Sequence, residues 1–415
     1  MKRAFWILGL AAAMGVEGSL IAETVAITGA TLQTMGPAGV LENGTLVIVD
    51  GRIAAVGVGV PIPADARRID ARGRVVTPGL FNSLTRLGIV EVSAAEGTGD
   101  GQVKNDRITA AFDVADAINP RSTLIAVNRI EGLTRAIVAP QPGSSLIAGQ
   151  GALIHLGLSA DLLVRERVAM FAALGEQGAE LAGGARGAAM LRLREALQDA
   201  ADYAAHRKEF ASGDRREYSL SRLDLEALAP VARGEQPLVV AVHRASDIVA
   251  VLRLAKQLGL RLILAGVTEG WKVAHEIAAA DVPVLVEPLD NLPQSFEQLG
   301  ATLENAARLR AAGVRVAFMN GDAHNARNVR QSAGNAVAYG MPWRDALAAL
   351  TIVPAEIWGI ADRYGSLEPG KDADLVLWDG DPLEVTTFAD AVYIRGEEIP
   401  MTSRQTQLRE RYRRH

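Results

Sequence analysis

Two kinds of apolar run divide the chain. Over residues 24–77 the runs are short and bounded by turn residues: Val25-Ala26-Ile27-Thr28, Gly44-Thr45-Leu46-Val47-Ile48-Val49 and Arg52-Ile53-Ala54-Ala55-Val56. Segments of this length between turn signals predict β-strands. Asp50-Gly51 between the last two predicts a two-residue hairpin. From Pro78 the runs alternate with helical stretches. The predicted buried strands cover 134–139, 151–154, 238–242, 261–265, 282–286 and 314–318, and the predicted helices include 247–258 and 271–280. Such alternation predicts βαβ units, and so many units in one segment favour a closed barrel over an open sheet. Residues 183–235 fit the rhythm poorly. Gly183-Gly184-Ala185-Arg186-Gly187 opens a predicted helix over 188–210, read as an insertion that covers the barrel mouth or makes an oligomer contact. The glycines there read as a helix-start loop rather than an anion cradle. Ala373-Asp374-Leu375-Val376-Leu377-Trp378 and Ala391-Val392-Tyr393-Ile394 return to β and can complete the N-terminal unit. The arginine-rich tail, 401–415, predicts a solvated terminal helix.

Composition narrows the classes. The 415 residues are 49% hydrophobic and 22% charged, ordinary for a globular protein. A net charge of −5 argues against a nucleic-acid partner. The absence of cysteine excludes disulfides, thiolate metal sites and thiol nucleophiles. Lys2 and Arg3 precede an apolar run, 4–16, too short to span a bilayer, and cleavage after Ala22 fits a secretory leader over 1–22. The expectation is therefore a periplasmic or secreted protein with no membrane span after processing.

Two sequence signatures carry a family resemblance. Val75-Val76-Thr77-Pro78-Gly79-Leu80 resembles the entry into the first barrel strand of the amidohydrolase superfamily. Gly340-Met341, Pro354-Ala355, Gly359 and the run from Gly365-Ser366-Leu367-Glu368-Pro369-Gly370 to Val376 resemble the end of that domain, particularly in imidazolonepropionase-like periplasmic members. The resemblance implies an α/β fold: a distorted TIM (β/α) barrel over 78–364, plus a small composite β-sandwich built from 23–77 and 365–400. It also implies hydrolysis of carbon–nitrogen bonds other than ordinary peptide bonds. A small-molecule substrate or ligand is the expected partner, and a homo-oligomer stays open.

The family's metal ligands, as the resemblance places them, are His-x-His on strand 1, a lysine or Glu on strand 4, histidines on strands 5 and 6, and Asp on strand 8. Here the corresponding positions hold Leu84, Arg86, Ala241 and about Gly266, and no lysine lies between Lys104 and Lys208. A guanidinium cannot ligate a cation. Asp322 matches the family aspartate and is the expected catalytic residue. Zinc or another divalent metal is the cofactor the resemblance implies, but the ligand positions support none. His243, Asp322 and Glu176 are the remaining weak metal candidates. Arg86, His243, Arg244, Glu269, His324, Asn325 and Arg327 are the candidate substrate-binding residues. Arg86 opposite Asp322 would substitute a fixed cation for metal charge, or bind a substrate carboxylate. Of the other histidines, His155 at a strand end, His206 in the inserted helix, His275 and His415 read as structural, surface or terminal.

Two functional readings follow. One is a carbon–nitrogen hydrolase with a rebuilt or metal-free site. The other is a catalytically inactive periplasmic binding or assembly protein on the same scaffold.

Overall fold

In the computed structural model, which describes residues 23–95 and 97–413, the strands sort into two eight-stranded sheets. The proposed leader, 1–22, lies outside the described residues. The first sheet begins with β1 (Val25–Gln33), β2 (Val40–Val49), β3 (Arg52–Gly57), β4 (Arg67–Asp70) and β5 (Val75–Pro78). The second holds β6 (Leu80–Thr85), β7 (Leu133–Val138), β8 (Ile147–His155), β9 (Leu163–Ala173), β10 (Leu238–Val242), β11 (Leu262–Gly266), β12 (Val284–Val286) and β13 (Val316–Phe318). The chain then returns to the first sheet as β14 (Leu375–Trp378), β15 (Ala389–Ile394) and β16 (Glu397–Glu398).

The N- and C-terminal segments are joined by the antiparallel pairing of β5 with β14, in which Leu375 stands opposite Pro78, and by an antiparallel bridge between Arg52 and Asp372. The hairpin between β2 and β3 forms where Asp50-Gly51 predicted it. Both turn residues have positive φ, 49° and 75°, the conformation that matches the twist of the flanking strands. Alternate residues of these strands, among them Ile27, Leu46, Ile48, Val76, Leu375 and Tyr393, share one buried cluster.

The second sheet is a nearly closed barrel with one departure from the expected parallel order. β8 runs antiparallel to both β7 and β9, while the pairs from β9 to β13 are parallel. The reason is local: no helix separates β7, β8 and β9, and only antiparallel neighbours can be joined by short links. Asn82 closes the remaining gap between the first and last strands. Its amide donates to Asn320 C=O at 3.0 Å and accepts from Asn320 N–H at 3.1 Å.

Inward-facing Phe81, Ile137, Leu153, Val239, Ile263, Leu285 and Ala317 fill the barrel. They pack on Ile357, the last residue of the helix Ile352–Ile357, and on Trp358, Ile360 and Tyr364 beyond it, which seal the end where the strands begin. The other end, where the strands finish, is the mouth.

The single helix predicted over 188–210 is two, Arg186–Ala205 and Arg207–Ser212, separated at His206. Leu193, Leu197 and Tyr203 of the first are buried in the main core with Leu225 and Leu228 of the helix Arg222–Ala232. The tail forms a helix, Arg404–Arg413, with no buried residue. Among the described residues no helix is long and apolar enough to cross a membrane.

One ion pair links barrel and sheet. Arg135 of β7, 2% exposed, donates to Asp374 Oδ2 at 2.6 Å and lies 3.9 Å over the Tyr364 ring. Nearby, His155 accepts from Gly157 N–H at Nδ1, which leaves the Nε2 proton for Asp161 C=O at 3.0 Å. Burial, reinforced by the Arg135 charge, pushes its pKa down to about 4, so it is a neutral structural histidine.

Candidate functional site

The mouth is built from the residues that end the barrel strands, where barrel chemistry is ordinarily placed. Leu84, near the end of β6, packs against the barrel interior. Arg86 does not meet Asp322. Its Nε donates to Gly321 C=O at 2.9 Å, and an Nη donates to Gln141 Oε1 at 3.2 Å. The cation is thus spanned between two neutral oxygens.

Asp322 is wound into its own loop after β13. Oδ1 accepts the His324 N–H at 2.9 Å and Oδ2 the Asn325 side-chain amide at 2.9 Å. Thr85 Oγ1 donates to its carbonyl at 2.8 Å, and Arg327 braces the same loop by donating to His324 C=O at 2.9 Å.

His243 follows β10 and lies across the end of β11. An ideal Cβ on Gly266 would stand 2.5 Å from His243 Cε1, and Gly266 has φ +84°, which disfavours any side chain. The imidazole therefore fills the space that a residue-266 side chain would need. Thr268 Oγ1 lies 2.7 Å from its Nδ1, and Gln298 Nε2 lies 3.3 Å from the same atom. Gln298 Oε1 accepts from Gln294 N–H, which turns Nε2 toward the ring and leaves the neutral imidazole's proton on Nε2. Burial holds His243 below its ordinary pKa, opposed by the carboxylates of Glu297, Asp290 and Glu176.

Glu176, Arg244 and Glu269 are committed to bracing contacts. Glu176 and Glu297 each accept the other's backbone N–H, at 2.7 and 2.9 Å, and so lock the loops after β9 and β12 together. Arg186 reaches both carboxylates and also Asp247, which in turn pairs with Arg244 at 2.7 Å. Glu269 is buried. One oxygen meets Lys272 Nζ at 2.5 Å and the other accepts from Ala245 N–H at 3.1 Å.

The mouth also holds two acids that the sequence reading passed over. Glu287 directly follows β12 and accepts the Asn320 amide at 3.0 Å. Burial, and then the neighbouring Asp290 charge, push its pKa up to about 7, with a smaller push from Asp322 and an opposing hydrogen bond from Gly321 N–H. Asp290 is raised by the same cause, burial, against the His243 charge and the Thr268 hydroxyl. The available signal was Val284-Leu285-Val286-Glu287, a buried strand ending on an acid.

Comparison with known proteins places this arrangement. The model of the amidohydrolase family matches residues 195–399. A crystal structure of an amidohydrolase from Thermotoga maritima superposes with a TM-score of 0.81 at 27% identity, covering 91% of this chain and 99% of that one. The chain belongs to the amidohydrolase superfamily. It is 27% identical to a 5-methylthioadenosine/S-adenosylhomocysteine deaminase of Symbiobacterium thermophilum, over 89% of this chain and 88% of that protein. It is 26% identical to the amidohydrolase tasK of Hapsidospora irregularis over 86% of its length, but spans only 39% of that relative.

Against the superfamily's metal chemistry, the donors at the mouth do not fit. Leu84, Arg86, Ala241 and Gly266 offer no ligand atom, and among the described residues no three His, Asp or Glu side chains converge as a metal would need. What this amidohydrolase-family mouth offers instead is proton chemistry. Glu287 exchanges its proton near neutrality and has two carboxylates, Asp290 and Asp322, close enough to perturb it. An acid that holds its proton near neutrality can serve as a proton donor in catalysis.

Proposed function

We propose that this chain is a hydrolase that opens a carbon–nitrogen bond in a small amide or cyclic amide by acid–base chemistry at the barrel mouth. The observation that carries the reading is Glu287, a strand-end acid whose pKa of about 7 lets it hold a proton and give it up at neutral pH. In this reading Asp322 is the base that draws a proton from the attacking water. Glu287 delivers its own proton to the leaving nitrogen. Arg86, His243, His324 and Asn325 form the surface that holds the substrate, with the Arg86 guanidinium facing a carboxylate or developing oxyanion. Arg244, Glu269 and Arg327 shape the site through the loops they brace. The leader at 1–22 is the sole basis for setting this activity in the periplasm.

A second reading has one specific observation in its favour. The four histidine positions traced from the superfamily are non-ligating together, as expected of a scaffold that binds a small molecule or a partner without turning it over.

The deciding experiment follows amine or ammonia release from a panel of N-acyl amino acids, dipeptides and cyclic amides, at a series of pH values with and without chelator. The hydrolase reading expects turnover that survives chelation and falls as pH rises past about 7. It also expects a loss of about 10²–10⁴-fold in kcat for Glu287→Gln. Turnover abolished by chelator, or undiminished in Glu287→Gln, overturns the acid–base mechanism. Saturable binding of panel members with no turnover establishes the second reading.

A further inference from the structure

A second concavity lies outside the sealed end of the barrel, opposite the mouth. A cavity of about 680 Å³ lies beside the starts of the strands, between Arg165 and Arg167 of β9, Arg261 just before β11, Gln150 of β8, and Trp358. The plug of Ile357, Trp358, Ile360 and Tyr364 stands between it and the barrel interior. We propose that this cavity binds a small organic anion carrying a carboxylate or phosphate group.

The charge balance is the first reason. Among the described residues neither Arg165 nor Arg261 has a carboxylate within ion-pair distance; of the three arginines only Arg167 does, through Asp113 at 3.0 Å. Arg165 instead donates to the Trp358 carbonyl, and Arg261 to the Glu235 carbonyl at 3.2 Å. Two carboxylates, Glu226 and Glu235, also line the cavity. Both are already neutralised from outside it: Glu226 by Arg222 at 2.7 Å, and Glu235 by both forks of Arg233 at 2.8 and 2.7 Å. The cavity therefore presents two guanidiniums with no carboxylate in ion-pair contact. Partial burial, and then the field of Arg261, disfavour the charged form of Arg165 against the opposing charge of Asp362. An anion between them would relieve that repulsion and accept paired N–H bonds from planar forks.

The second reason is the neutral donors. The indole N–H of Trp358, a residue 3% exposed, has no partner. Gln150, 5% exposed, accepts from the Gln236 amide at 3.3 Å, and its own amide nitrogen has no protein partner among the described residues. Of the two, the Trp358 indole N–H is the fully buried donor left open, which is rare unless a ligand or water meets it.

The third reason is the backbone. Arg167 sits in β9 at φ +51°, a left-handed conformation that a non-glycine residue adopts at a cost, and the β8–β9 register is irregular alongside it. Such outliers concentrate at binding sites. The volume lies within the range of small-molecule sites.

The test is calorimetric and thermal titration of the full chain with inorganic phosphate and, separately, with citrate, at matched ionic strength. The variants are Arg165→Gln with Arg261→Gln together, Arg261→Gln alone, and Arg409→Gln as a distant control. At least one anion should bind wild type and the control saturably. Its affinity should fall about tenfold or more in the double variant and measurably in Arg261→Gln. Binding of phosphate alone assigns a phosphoryl group, binding of citrate alone a carboxylate, and both support the site. Absence of binding by either anion at millimolar concentration overturns the proposal. So does equal binding by wild type and Arg261→Gln, the variant that retains the Arg165–Trp358 contact.

Discussion

Glu287 offers a measurement that needs no substrate. Its carboxyl moves from an ordinary 4.5 to about 7 in the folded chain. Ionising it therefore costs about 3 kcal/mol more in the folded than in the unfolded state. The folded chain binds this proton more tightly, so the contribution to stability is complete below about pH 4.5. It is lost as pH rises through about 7. Glu287→Gln removes the titration but keeps an oxygen to accept the Asn320 amide. Urea unfolding of both chains at about pH 5 and about pH 8 isolates the effect, because the buried histidines titrate equally in each. The variant should gain up to about 3 kcal/mol over wild type between the two pH values. A difference that stays constant with pH would show that Glu287 is ordinarily ionised in the folded protein, and would remove the acid on which the proposed chemistry rests.

Two further perturbations probe the frame of the site. Asp374→Ala strips the partner from Arg135, which is 2% exposed, and an uncompensated buried charge costs about 3–5 kcal/mol. Chemical denaturation should show that loss, whereas a loss under about 1 kcal/mol would mean that the Tyr364 face and water suffice for the guanidinium. Gly266→Ala places a Cβ 2.5 Å from His243 Cε1 at φ +84°, costing on the order of 1–3 kcal/mol in backbone strain alone and driving the imidazole outward. Proton NMR should then show the His243 titration midpoint moving up toward its ordinary 6.5, and an unmoved midpoint would refute the close packing of ring and glycine.

Much of the frame was legible in the chain because it depends on local rules. The short turn-bounded runs over 24–77, the Asp50-Gly51 turn and the buried runs after Pro78 are read from run length and turn chemistry, and they became β1 to β3 and the barrel. What failed to read out depends on partners distant in sequence. The reversed β8 looked like any other apolar run, because strand direction is set by connection length rather than composition. Arg86 and Asp322 share the mouth, yet Gly321 and Gln141 outcompete the carboxylate for the guanidinium, which no spacing reveals. Glu176, a weak metal candidate in the sequence, is clasped by Glu297, 121 residues away. Glu287 was visible as a strand-end acid, but its pKa depends on burial beside Asp290, a property of the folded loop alone.

These contacts bear on the positions to which the resemblance assigns metal ligands. A non-ligating residue at such a position would ordinarily leave a void or an unpaired polar group at a crowded mouth. At three of the four positions the space is occupied: Leu84 extends the barrel packing, the Arg86 guanidinium bridges the loops after β7 and β13, and the His243 ring lies over Gly266. Each substitution suits its neighbours as they now stand, so restoring one histidine would not restore a metal site. A histidine at 266 would collide with His243, and one at 86 would abandon both Gly321 and Gln141. In the mouth so packed, Glu287, within the fields of Asp290 and Asp322, is the strand-end acid that exchanges a proton near neutrality. Its protonation is the property on which the choice between hydrolase and binding protein turns.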